Sequence, residues 1–377
     1  MNIILIEDDE SEITTCKSAA RLLEHSMECN INIISCKSVQ DVKSLWSDFA
    51  EKSWENTQYH RFDGAIIDLK LDGDRHDGPH GGNEVAKKMK ALLPKTPLVI
   101  RTGTPDDLDG SLRDIKCVTR SEENADFDTL LNWFWNIQRT GLPNIMSGNG
   151  EIENKMNTIF QKVLMPHIDT WIAYLGDTSD DVTQKITQKN IESALLRYSM
   201  THLLDHLDQD DEQYYPEEFY LLPVIEHKTR TGNILKKGDE CYVIMNPACD
   251  LAVRQNGEFK ASHILLAKIE LLRCEATTLR KKQKELRELC TQPPNHRYCL
   301  PSTKDFAGGI VNFEILESID KNVFMHDLDS YRLVYRIAPH FMKDMIAKFG
   351  AGYSRQGQPE IKTDALLQNY NHHHSQS

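Results

Sequence analysis

The sequence predicts two folds in series: a doubly wound α/β sheet of five parallel strands, then an α+β region combining a helical pair with a small bent sheet or partial barrel. Three observations carry this. Short apolar runs alternate with helical patterns over residues 1–140, as βα units of a parallel sheet require. Those runs end in polar or charged residues, the mark of strands whose carboxyl ends open onto a cleft. Past a Gly/Asn/Ser-rich stretch the pattern changes, first to two long helical segments and then to strand-like runs separated by turns.

Taken in order, Ile3-Ile4-Leu5-Ile6 is a strand running into three acids, Glu7, Asp8 and Asp9. A helix from Ser11 to Glu24 follows, with Ile13, Ala20 and Leu23 near helical spacing. Ile31 to Ser35 is the second strand, and Ser38 is placed to cap a helix reaching Phe49, with Val42, Leu45, Trp46 and Phe49 as its apolar stripe. The third strand is the centre of the pattern. Ala65-Ile66-Ile67 leads into Asp68, and a long loop rich in Gly, Asp and His separates it from a helix over Asn83 to Leu93, stopped by Pro94. Leu98-Val99-Ile100 is the fourth strand, ending at Arg101-Thr102-Gly103, and Ile115 to Val118 the fifth, ending at Thr119-Arg120. So little chain lies between Thr102 and Arg120 that the fourth helix is expected to be short. A last helix, Asp126 to Gln138, turns Leu130, Leu131, Phe134 and Ile137 to the sheet.

Side by side, these strands would bring Glu7, Asp8, Asp68, Thr102 and Arg120 to one edge. That constellation resembles the receiver domain of two-component response regulators, a flavodoxin-like fold. The resemblance covers residues 1–140 and implies roles position by position. Asp68 matches the phosphoacceptor, Glu7 and Asp8 the acidic pair that holds magnesium with Asp68 and the Lys70 carbonyl, and Thr102 the hydroxyl that bonds the phosphoryl group. A histidine kinase or a related GHKL-type ATPase is the implied phosphodonor. Where the family carries lysine followed by a cis proline, this chain has Arg120-Ser121. Arginine keeps the charge but is a planar fork, not a point donor. The chemistry reads the same way without the family. A carboxylate attacks phosphorus only if the charges of both are offset, and a hard divalent ion on oxygen ligands does that. With its output face shortened after Thr102, the molecule is expected to use the loop from Lys70 to Gly82 for part of its output, its glycines Gly73, Gly78, Gly81 and Gly82 permitting rearrangement.

Residues 141–151 read as a linker, 152–209 as a helical pair (Ile152 to Leu175 and Val182 to Leu207), and 210–377 as an α+β output domain. Strands are expected over Phe219 to Ile225, Glu240 to Met245, Ser262 to Glu270, Ile310 to Ile319 and Tyr331 to Ile337, with helices Leu271 to Leu289 and Pro339 to Phe349 before a polar tail. This part resembles no family. Its chemical candidates are Cys249 with Asp250 just after a strand, and His202 with His206 one helical turn apart. HLLDH lacks the glutamate of HExxH, and Cys290, His296 and Cys299 fit no standard zinc spacing.

Composition bounds the rest. A chain of 377 residues holds two or three domains, and no apolar run reaches the length of a membrane span. Nine cysteines without a CxxC motif argue for reduced thiols in a cytoplasm. A net charge of −13, with no helix-turn-helix pattern, argues against sequence-specific DNA binding. The expected function is a response-regulator-like protein whose receiver controls a partner-binding C-terminal domain. The alternatives are a receiver-regulated hydrolase or nuclease, as in a phage-defence system, and an adaptor with a dead receiver. A homodimer remains open.

Overall fold

The computed structural model describes every residue except 47–61, 72–80, 148–149, 177–180, 208–212, 225–227, 255–256, 273–276, 292–293, 295, 355–359 and 375–377. It divides into two compact units, Met1–Gln209 and Asp210–Ser377.

The first unit is built on five parallel strands in the order β2-β1-β3-β4-β5: β1 Asn2–Ile6, β2 Asn32–Cys36, β3 Gly64–Ile67, β4 Leu98–Thr102 and β5 Lys116–Thr119. Strand alternation explains why both faces are apolar. Ile3, Leu5, Ile66 and Val99 point to the face covered by α1 (Glu10–Met27) and α4 (Phe127–Arg139). Ile4, Ile6, Ile67 and Ile100 point to the other, where α3 (Gly81–Leu92) brings Val85, Ala86 and Met89. Residues 39–46 form α2 on that second face, its start held by Ser38, whose hydroxyl accepts from the Asp41 amide. The rest of that expected helix, Phe49 included, and the loop glycines Gly73 and Gly78 lie outside the described residues.

Helix boundaries follow their caps. The Asp9 carboxylate accepts from the Ser11 amide and starts α1, and Asp126 accepts from Thr129 to start α4. Between β4 and β5 the expected short helix is absent. Two 3₁₀ turns, Pro105–Asp107 and Gly110–Leu112, fill the space, since Pro105 and Gly110 break any longer helical run.

The expected linker carries a five-residue helix, α5 (Leu142–Met146), entered through Gly141 at φ 77°. The single helix expected over Ile152 to Leu175 is in fact α6 (Glu151–Ile159), a π turn, a 3₁₀ turn at Met165–His167 and α7 (Ile168–Ala173). Pro166 removes the amide that a continuous helix would need. The second helix of the pair, α8 (Asp181–Leu207), is unbroken and packs on α6.

The second unit is a seven-stranded antiparallel sheet, curled into a half-barrel, in the order β10-β11-β9-β8-β7-β12-β6. Its strands are β6 Tyr220–Leu221, β7 Asn233–Lys237, β8 Glu240–Ile244, β9 His263–Glu270, β10 Arg297–Leu300, β11 Gly309–Asp320 and β12 Arg332–Ile337. Register breaks in β11 between Val311 and Leu316, and in β12 between Leu333 and Tyr335, supply the bend. Strands β7 and β10 went unread because each is short and its neighbours, Gly232, Gly238 and Pro301, are turn residues. One face is covered by Met342 and Met345 of α11 (Pro339–Tyr353), the other by Phe324 of α10 (Lys321–His326). Helix α9 spans Leu279–Thr291, and the polar tail contains a further helix, α12, over Thr363–His374. No helix among the described residues is long and apolar enough to cross a membrane.

Phe134 shows what holds the first unit together. It is fully buried, and a Cβ at Gly64 on β3 would stand 2.4 Å from its ring. Phe134→Ala removes that ring and leaves a void between α4 and the central strand, a change that costs ~3–5 kcal/mol. All five tryptophans lie in this unit, so urea unfolding followed by tryptophan fluorescence measures it directly.

Candidate functional site

Backbone pairing sets the strand ends level. The Asp68 amide donates to Ile6 O at 2.9 Å, Glu7 N to Cys36 O at 3.0 Å and Arg120 N to Thr102 O at 2.9 Å. Residues just past β1, β3, β4 and β5 therefore meet at one edge. Glu7, Asp8, Asp9, Asp68, Lys70, Thr102, Gly103, Thr104 and Arg120 line one open cavity of about 490 Å³. At its floor, the carbonyl of Asp68 is approached so closely by the start of α3 that a Cβ on Gly82 would lie 2.0 Å from that oxygen. Only glycine fits there.

Carboxyl oxygens of Glu7, Asp8 and Asp68 lie within 4.8 Å of one another. Among the described residues this is the only such group of three or more potential ligands. Glu7 and Asp68 are buried, 2% and 5% exposed. Burial pushes Glu7 up to about 7, the Arg120 guanidinium pulling down and the Asp68 charge pushing further up. Asp68 is raised too, again by burial, with Arg120, the Leu69 amide and the Thr102 hydroxyl working against it. Arg120 supplies the counter-charge. Its Nη2 lies 2.6 Å from Glu7 Oε2 and 3.2 Å from Asp68 Oδ2. Thr102, 1% exposed, accepts from the Thr104 amide at 3.2 Å and bonds Asp68.

The donor set fits a small hard cation. Three carboxylates converge with the Lys70 segment, all the candidate ligands are oxygen, and two of the acids, Glu7 and Asp68, are held apart from bulk water where their mutual repulsion is least screened. Magnesium prefers such a site, with few protein ligands and room for water and phosphate. Glu7 is more deeply buried than Asp8 and already paired with Arg120, which suits an outer position.

The other candidates form no second ligand group among the described residues. Cys249 is exposed, 3.8 Å from Asp250 Oδ1, and Asp250 lies 3.5 Å from Lys260. His202 meets Tyr198 edge to face at 4.6 Å, and neither it nor His206 joins a described ligand group. Cys290 and Cys299, expected as reduced thiols, are joined as a disulfide, the end of α9 and strand β10 bringing their Cα atoms to 5.0 Å.

Two residues beside the site carry no role in the sequence reading. Arg101, on β4 beside Thr102, is 9% exposed, donates from Nε to Ala125 O at 2.7 Å and lies 4.3 Å over the Phe127 ring. Glu12, on the first turn of α1, has Oε2 3.0 Å from Arg101 Nη1 and Oε1 3.7 Å from Arg120 Nη1. The signal was an arginine inside an otherwise apolar strand, since a buried guanidinium demands a carboxylate partner.

No family model and no curated protein matches the chain. Solved structures of response regulators do. RcsB of Salmonella typhimurium is 16% identical over 51% of this chain and 89% of its own, with a TM-score of 0.26. The bacteriophytochrome response regulator AtBRR is 20% identical over 37% and 92%, at 0.24. TrrA of Thermotoga maritima, solved with magnesium and beryllofluoride, is 19% identical over 36% and 99%, at 0.22. At such scores these likenesses carry no argument.

The raised Glu7 has a consequence for stability. Its folded form holds a proton that the unfolded chain releases near 4.5, so without divalent cations the first unit loses stability as pH rises from about 4.5 to about 7. Taken whole, the shift corresponds to roughly 3 kcal/mol. Urea titrations across that range in EDTA should show the decline, and Glu7→Gln should flatten it.

Proposed function

We propose that the first unit is a phosphoacceptor receiver. One observation carries the reading: Asp68 sits at the carboxyl end of the central strand, its oxygens grouped with those of Glu7 and Asp8 and facing both a hydroxyl and a guanidinium. In phosphoryl transfer the protein positions groups and offsets charge. Asp68 Oδ attacks phosphorus in line, and the bond from phosphorus to the donor's histidine nitrogen breaks, its electrons leaving with the imidazole. An acyl phosphate remains on Asp68. Thr102 donates to one phosphoryl oxygen, and Arg120 turns from the carboxylates to the others, a planar fork suited to phosphate. Asp8 and Asp68, with the Lys70 carbonyl, would hold magnesium, and Glu7 would stand behind them. When bound, the ion offsets the negative charge of the acids and of the incoming group.

Opposite Asp68 on this reading stands a histidine kinase or GHKL-type ATPase. The C-terminal unit, Asp210–Ser377, is the output, a half-barrel that binds a protein partner and does not read DNA sequence. The expected output loop from Lys70 to Gly82 keeps its place in the proposal through its described ends. Leu71 is buried against the α3 face of the sheet, and Gly81-Gly82 open α3 directly over Asp68.

Calorimetry with magnesium, then with magnesium and beryllofluoride, tests the receiver. Asp8→Ala should weaken magnesium by more than about tenfold, the loss that changes even outside the ligand sphere bring about. Arg120→Ala should act with opposite signs, tightening magnesium by removing a competing cation and weakening the phosphoryl analogue. A wild-type protein that binds magnesium but not the analogue is a dead receiver.

A further inference from the structure

We infer that Glu12 is the positioning residue for Arg120, holding one edge of its guanidinium so that the other can serve a phosphoryl group. The inference rests on the receiver reading and adds to it the reason an arginine works at this position.

Arg101 is the fixed end of the device. Its Nε bond to Ala125 O, its seat over Phe127 and its burial on β4 leave it no freedom, and a guanidinium does not shed its charge. A charge held there needs an ionised partner, and Glu12 Oε2 at 3.0 Å is that partner. Glu12 is thereby drawn toward Arg101 by charge, an ion pair without a hydrogen bond, and its side chain stays about one-quarter exposed. Its second oxygen faces Arg120 Nη1 at 3.7 Å.

Arg120 thus has carboxylates on two sides. Nη2 lies on Glu7 and Asp68, the acids the cation and phosphoryl group require, and Nη1 faces Glu12, which takes no part in the chemistry. The geometry separates the two tasks across the fork. Without Glu12, the nearest carboxylates left to Arg120 are Glu7 and Asp68, and it would settle on them as a permanent substitute for the metal. With Glu12, the guanidinium keeps an anchor when Nη2 lets go, and it turns about that anchor toward the phosphoryl oxygens. A lysine has a single nitrogen and cannot be held at one edge while acting at the other. Arg120 and Glu12 therefore work as a pair.

A double-mutant cycle in the full chain tests this. Magnesium-supported beryllofluoride affinity is measured for wild type, Glu12→Gln, Arg120→Lys and the double variant. Glu12→Gln should weaken the analogue about tenfold in wild type and by less than about twofold beside Arg120→Lys, since the cycle cancels any general loss of stability. Equal losses in both backgrounds would overturn the pairing. The ¹⁵Nε–H signal of Arg120 in metal-free protein is the second readout. It should shift in Glu12→Gln as the guanidinium moves wholly onto Glu7 and Asp68, and an unmoved signal overturns the inference. If wild type binds no analogue, the receiver reading falls, and the Arg120 signal alone then decides whether Glu12 holds it.

Discussion

Two carboxylates buried beside each other at the ends of parallel strands set the terms for the whole first unit. Glu7 and Asp68 are there because β1 and β3 are neighbours in register, Ile6 opposite Ile67, so that whatever follows each strand must meet. Their repulsion is met in this structure by one cation, Arg120, which reaches them only because β5 lies one strand beyond β4 and ends level with it. Such an arrangement costs stability at neutral pH, and it persists because the apolar layers on both faces of the sheet fix the strands regardless. The strain is local and the support is everywhere else.

The same frame explains why the acids differ. Asp8 lies at the surface of the cavity, Glu7 and Asp68 beneath it, and Asp9 has left the cluster to cap α1. Consecutive acids after one strand thus take different places: paired with a guanidinium, open to the cavity, and starting a helix. Sequence alone could group them but not divide the labour, because which acid caps the helix depends on where the first helical amide falls.

Much of the first unit was legible. Strand runs of Ile, Val and Leu ending in Asp68, Thr102 and Arg120 name both the sheet and the edge where those residues gather, since a parallel strand buried on both faces has no polar positions to spare until it ends. What could not be read was tertiary. Glu12 looks like any acid in a helix's first turn, and it meets two guanidiniums only because the start of α1 comes close to Arg101 on β4 and to Arg120 just past β5. Arg101 was legible as an anomaly, its partner was not. Pro166, inside the helix expected over Ile152 to Leu175, marks where that helix breaks. In the second unit, β7 and β10 are too short to show alternation, and the sheet closes around them through pairings between residues distant in sequence. The curled antiparallel sheet was foreseeable as a class, its order of strands was not.

The segment that replaces a helix between β4 and β5 is riveted in place. Asn83 of α3 donates to Asp107 O at 2.9 Å and accepts from the Asp109 amide at 3.0 Å, Lys87 reaches Asp109 at 2.5 Å, and Lys90 reaches Asp114 at 2.6 Å. A crossover joined this way to α3, above all through the two Asn83 bonds, is coupled to that helix. Any displacement of Thr102 is handed to α3, whose first residues already press on the backbone of Asp68. On the proposed reading both the acceptor, Asp68, and the hydroxyl, Thr102, therefore pull on one helix, which makes α3 the shaft through which this molecule would turn an event at its carboxylates into motion elsewhere.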